Sequence, residues 1–120
     1  MLHVCSGSLR LPWTVDIRPE VKPWIVADGC ALPLQDSSFP AVLLDPPYVP
    51  AWARQYGTRY PPTYPLLREA ARVVRRGGRI GILHFLVPFP PKGTKIVKVL
   101  GVSVGVGYQM RAFTVYERSA

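Results

Sequence analysis

The chain has 120 residues, 48% of them hydrophobic, and carries 15 Lys and Arg against 7 Asp and Glu, a net charge of +8. That composition excludes a disordered or fibrous chain and fits one globular domain over residues 1–120. No apolar run reaches the roughly 18 residues that span a bilayer. The start, Met1-Leu2-His3-Val4-Cys5, lacks the basic segment of a secretory signal, so the chain reads as cytoplasmic. Its two cysteines, Cys5 and Cys30, are too few for a disulfide framework, and no metal-ligating set is read. The positive charge favours a polyanionic partner, because each phosphate contact releases counterions.

Taken in chain order, residues 2–5 read as a strand and Ser6-Gly7-Ser8 as a turn. Residues 13–17, 24–27 and 41–44 are three further short strands, each running into an acid at Asp16, Asp28 or Asp45. They are apolar throughout rather than alternating, as parallel strands buried on both faces are. Residues 63–76 predict a helix. Leu67, Ala70, Ala71 and Val74 share one face, Arg72, Arg75 and Arg76 suit the dipole at its carboxyl end, and Gly77-Gly78 ends it. A long strand at 79–87 follows, then strands at 96–104 and 108–116 joined by a short Gly-containing turn.

The fold class is α/β: a Rossmann-like, mostly parallel open sheet with an antiparallel C-terminal hairpin and minimal helices. Such sheets bind ligands beyond the carboxyl ends of their strands, where strand order reverses. Parallel strands normally need a crossover of a dozen residues or more. The gaps before 13 and before 24 hold no helix, so part of the apolar sheet is left uncovered, and a homodimer is expected to cover it.

The sharpest signal is Asp45-Pro46-Pro47-Tyr48 directly after Val42-Leu43-Leu44. Here the chain resembles the amino-methyltransferases that carry a DPPY motif, in particular the DNA adenine methyltransferases, and it does so over nearly its whole length. Leu2-His3-Val4-Cys5-Ser6-Gly7-Ser8 is similar to that family's first motif, Val15-Asp16 to the acidic second and Val26-Ala27-Asp28-Gly29-Cys30 to the third. The resemblance implies S-adenosylmethionine as cofactor. Its methionine part would lie by Cys5, Ser6 and Gly7, its ribose hydroxyls on Asp16, and its adenine by Asp28, Gly29 and Cys30. Asp45, Pro46, Pro47 and Tyr48 would form the catalytic loop.

The chemistry agrees with that assignment. An exocyclic amine conjugated with its ring is a poor nucleophile. Hydrogen bonds from its two protons to the Asp45 carboxylate and the Pro46 carbonyl favour a pyramidal nitrogen with its lone pair free. Pro46 and Pro47 fix φ and so pre-aim that carbonyl. Tyr48 offers a ring to stack on a flipped or unpaired base. Aromatics and cations interleave further on, at Trp52, Arg54, Tyr56, Arg59 and Tyr60, as contacts to bases and phosphates require. His84 lies in an apolar strand and reads as a core histidine rather than a base. Asp at the motif's first position favours adenine by resemblance. The first motif departs from the family, with His3 and a single glycine where an acid and several glycines are usual, and no separate target-recognition domain is present. By the resemblance DNA is favoured as substrate; RNA is the close competitor, because a chain without a recognition domain suits unpaired or structured bases. A non-catalytic nucleic-acid-binding module and a small-molecule methyltransferase stay open.

Overall fold

The computed structural model describes residues 1–47, 54–55 and 62–119. Its strands are β1 (Leu2–Val4), β2 (Thr14–Asp16), β3 (Ile25–Val26), β4 (Phe39–Leu44), β5 (Val74–His84), β6 (Thr94–Val102) and β7 (Arg111–Arg118), with helix α1 (Thr63–Val73) between β4 and β5. All seven lie in one sheet in the order β3-β2-β1-β4-β5-β7-β6. The first five pair in parallel, and β7 runs antiparallel between β5 and β6. This is the mostly parallel α/β sheet with an antiparallel hairpin that the apolar runs predict.

The short crossovers are possible because the strands they serve are short. β1 and β2 have three residues each, so the chain has only about 10 Å to climb back before starting the next parallel strand. Residues 5–13 do this without a helix, turning corners at Cys5 and Trp13, which both have φ near 60°. Residues 17–24 do it with one 3₁₀ turn, Pro19–Val21, closed by the Lys22 N–H on the Pro19 carbonyl.

Helix α1 is shorter than the sequence predicts. Val74 leaves the helical region and pairs with Phe39, opening β5 at once. The register then slips, since the next pair is Ala41 with Arg79. One residue of β4, Pro40, thus faces four of β5, and the excess is a bulge at Arg75-Arg76-Gly77. Gly77 takes φ 74° there. A Cβ on Gly78 would come within 2.8 Å of the Pro40 and Arg75 carbonyl oxygens. The glycine pair therefore shapes a bulge rather than ending the helix, and Arg75 and Arg76 are exposed on it rather than at the helix dipole. The hairpin also differs. β7 starts at Arg111, and residues 103–110 form a loop in place of a short turn.

The core lies on one face of the sheet. Leu2, Val4, Val15, Val42, Leu44, Ile80, Ile82 and Tyr116 pack against Leu66, Leu67, Ala70 and Val73 of α1, all fully buried. The buried helix face is centred one residue earlier than the pattern at 67, 70, 71 and 74 indicates, because Val74 belongs to the strand. On the opposite face Ala41, Leu43, Leu83, Phe113 and Val115 are only half-buried. Phe113 lies over Gly81, where a Cβ would run into its ring. The sheet thus keeps an incompletely covered apolar face among the described residues.

Candidate active site

Strand order reverses between β1 and β4, and the ends of the strands there carry the polar residues. Cys5, Ser6 and Gly7 leave β1, and Asp16 closes β2. Asp28, Gly29 and Cys30 follow β3, and Asp45, Pro46 and Pro47 follow β4. Backbone bonds stitch this end together. The Asp45 N–H donates to the Val4 carbonyl (3.2 Å), the Ser6 N–H to Val15 (3.1 Å) and the Ala27 N–H to Asp16 (3.1 Å). The structure therefore brings the described candidate site residues of the four sequence motifs to one end of the sheet. Arg54 is described and exposed. Tyr48, Trp52, Tyr56, Arg59 and Tyr60 lie outside the described residues.

Asp16 is buried and takes four donors. Its Oδ2 accepts the Gly7 N–H (2.9 Å) and Arg18 Nη2 (3.3 Å), while Oδ1 accepts the Arg18 N–H (2.9 Å) and Nε (3.0 Å). Burial by itself would raise its pKa, but the Arg18 and Gly7 hydrogen bonds outweigh this and hold the carboxyl below the ordinary value. Asp28 closes an Asx turn by accepting the Cys30 N–H at 2.9 Å. Between them sits Gly29, where a Cβ would stand 2.7 Å from side-chain carbons of both Leu66 and Val4. Only glycine lets this turn lie against the core. Asp45 is exposed, Pro46 buried and Pro47 half-buried.

Three of the chain's seven acids thus gather at one end of a basic protein. Their field is felt at Cys5. Burial first, then Asp16, Asp45, Cys30 and Asp28, push its thiol from 9.0 up to about 12. A thiol so held stays protonated and is no nucleophile at neutral pH. Cys5 also adopts φ 60°, ending β1 one residue earlier than the apolar run predicts and turning the chain across the strand ends. His3, half-buried on β1, has its pKa lowered by burial, against which Asp45 acts. His84 is buried, its pKa is lowered by burial, and its Nδ1 accepts the Leu86 N–H at 3.1 Å. That is a neutral core histidine.

One organising pair escaped the sequence reading. Arg72 donates Nε to Glu69 Oε2 (2.9 Å) and Nη2 to Glu69 Oε1 (2.7 Å), and it also reaches the carbonyls of Leu32 and Leu34 and the carboxylate of Asp36. Glu69 in turn accepts the Leu32 N–H at 2.8 Å. Together they clamp the segment after Cys30 onto α1. The only sequence signal is the Glu69–Arg72 spacing of i,i+3 on a helix.

A groove of about 510 Å³, lined by Met1, Trp13, Leu34 and Phe39 among others, lies at the opposite, amino ends of the strands and holds none of the acids. Among the described residues no cluster of His, Cys, Asp or Glu forms a metal-binding group, and no helix is long and apolar enough to cross a membrane.

No family model matches the chain. Among solved structures it is similar to TrmN from Thermus thermophilus, with 20% identity, a TM-score of 0.66, and coverage of 98% of this chain and 43% of TrmN. It is also similar to a SAM-dependent methyltransferase from Methanosarcina mazei, at 11% identity and TM-score 0.66 over 98% of this chain and 91% of that one. Geranyl diphosphate C-methyltransferase from Streptomyces coelicolor, in complex with S-adenosyl-L-homocysteine, gives 9% identity and TM-score 0.59 over 98% of this chain and 71% of that one. The chain spans less than half the length of TrmN. These likenesses show the fold. It is a Rossmann-like fold, one that structures described as S-adenosylmethionine-dependent methyltransferases share.

Proposed function

We propose that residues 1–120 act as a single methyltransferase domain that transfers a methyl group from S-adenosylmethionine to an exocyclic amine of a nucleic-acid base, with adenine N6 in DNA as first candidate. The observation that carries this reading is the convergence of Asp16, Asp28 and Asp45 with the Cys5-Ser6-Gly7 turn at the reversal point of the sheet.

The residues present fit the cofactor. Among the described residues the atom nearest to a Cβ on Gly7 is the side-chain Nη2 of Arg18 at 3.8 Å, so no backbone stands in the way of a ligand at this turn. Three carboxylates set a negative field suited to a sulfonium. Cys5, Ser6 and Gly7 would hold the methionine part, Asp16 the ribose, and Asp28, Gly29 and Cys30 the adenine. When bound, the cofactor supplies an electrophilic methyl group. The chain's own residues orient the acceptor. Asp45 and the Pro46 carbonyl take the two amine protons in hydrogen bonds, and the proline pair fixes that geometry. Asp45 is exposed, so the proton released after transfer has a path to water. Tyr48 would stack on the base, while Trp52, Arg54, Tyr56, Arg59 and Tyr60 contact the flanking strand, aided by the +8 charge.

Labelled methyl transfer to DNA and, in parallel, to RNA tests the reading, with Asp45→Ala as control. Transfer to one polymer that disappears in the variant supports it and selects the substrate. Cofactor binding without transfer to either polymer would move the substrate to another class. One observation favours a second reading, a binding module without catalysis: the Asp16 carboxylate is already filled by protein donors. Such a module would bind nucleic acid equally well with or without cofactor and after Asp45→Ala. A homodimer would cover the half-exposed face at Leu43, Leu83, Phe113 and Val115, and light scattering at micromolar concentration would show twice the chain mass.

A further inference from the structure

We propose that Arg18 is a built-in competitor for the cofactor's ribose: its guanidinium occupies the acceptor sites of Asp16 and must leave before a ribose diol can bind. This rests on the methyltransferase reading above and concerns how its cofactor site is regulated.

The argument is a count of acceptor sites. A carboxylate offers about four lone-pair positions. Asp16 has four donors on it, at 2.9, 2.9, 3.0 and 3.3 Å, and its side chain is only 6% exposed. A ribose diol brings two more donors and finds no vacant lone pair. Two of the present donors are backbone N–H groups, of Gly7 and Arg18. They are set by the turn after β1 and the corner after β2, and they move only if those corners refold. The other two belong to the Arg18 side chain, which is partly exposed at 20% and can leave by rotation about its own side-chain bonds, with no change of backbone. Its Nη2 lies 3.8 Å from where a Gly7 Cβ would be, so the guanidinium stands over the same turn that admits the cofactor. Glu20, on the 3₁₀ turn Pro19–Val21 that follows Arg18, adds to the negative field on the guanidinium. The apparent cofactor affinity is then the intrinsic affinity reduced by the fraction of molecules in which Arg18 has left. The opposite role, a positioning residue that pre-aligns Asp16 for the ribose, predicts the opposite sign in every measurement below.

Calorimetric titration with S-adenosylhomocysteine separates the two. Arg18→Met, which keeps an unbranched stem but no donors, is expected to bind about tenfold tighter than the unaltered chain, a plausible yield for removing one charge-assisted pair. Arg18→Lys, which retains the charge but not the two-pronged contact, should fall between them and serves if the Met variant fails to fold. The gain should depend on the hydroxyls. Adenosine should gain in Arg18→Met, and 2′,3′-dideoxyadenosine should not. Equal or weaker binding of S-adenosylhomocysteine by a folded Arg18→Met, or an equal gain for both nucleosides, overturns the competition and leaves the methyltransferase reading standing. No binding by any of the three proteins overturns both.

Discussion

On one side of β4 the strands β1, β2 and β3 have three, three and two residues and run out at acids. On the other side β5, β6 and β7 have eleven, nine and eight. The long strands are held by long ladders, with six register pairs between β5 and β7 and eight between β6 and β7, the latter interrupted by one shift between Ile96 and Lys98. The short ones have two pairs each between β1 and β2 and between β2 and β3. What holds them is side-chain work at the corners: Asp16 on Gly7 and Arg18, Asp28 on Cys30, Gly29 seated against Val4 and Leu66. The comparison teaches a division of labour. The hairpin side supplies cooperative stability. The other side trades ladder length for strand ends, and in open parallel sheets ligands bind beyond such ends.

The largest stability loss should come from the hairpin side. Tyr116 is fully buried and donates its hydroxyl to the Pro88 carbonyl at 2.6 Å. Tyr116→Ala is expected to cost about 4 kcal/mol in denaturant unfolding, against about 1 kcal/mol for Tyr116→Phe, which loses only the hydrogen bond. Asp45→Ala should do the reverse, lowering methyl transfer by about a hundredfold or more while the melting temperature stays within a degree or two, since the side chain is exposed. An equal fall in stability would break the distinction between site and scaffold.

Gly29→Ala tests the corner directly. The added methyl would press on Leu66 and Val4, and a loss of about 2 kcal/mol is expected, with cofactor binding weakened in the same variant. A change of stability near zero would mean that the turn can lift off the core.

The smallest effect is a pH dependence. Cys5 and Tyr116 both have raised pKa values from burial, Cys5 from 9.0 to about 12. For a group raised in the fold, the stabilising contribution is whole below the unfolded value and is lost as pH rises toward the folded one. Stability should therefore decline from about pH 9 upward, and Cys5→Ala should flatten part of that decline in urea unfolding midpoints. Asp16 has the opposite sign. Its lowered pKa gives a contribution present above the ordinary carboxylate value of 3.8 and lost as pH falls through the folded one.

The placement of the strand ends that carry the candidate site was legible because its signals are local. An apolar run followed by an acid names a strand and its carboxyl end together, and this happens three times, at Asp16, Asp28 and Asp45. The errors fall where a residue's state depends on what it pairs with. Val74 fits the helical pattern as well as the strand, and pairing with Phe39 decided the matter. Gly77-Gly78 reads as a helix stop when only the preceding helix is considered, and becomes a bulge once β4 lies alongside. The Arg72 clamp joins residues more than thirty positions apart, beyond the reach of any spacing rule.

The sequence by itself determined the fold class, the parallel character of the early strands and the end of the sheet that carries the acids. Those follow from which residues are apolar and where the acids interrupt them, and both are properties of short windows. Only the tertiary structure decided that β7 inserts between β5 and β6 and that Asp16 is engaged by Arg18. Each of these turns on which groups compete for the same space or the same lone pair after the chain has closed on itself, and a linear pattern holds no record of that competition.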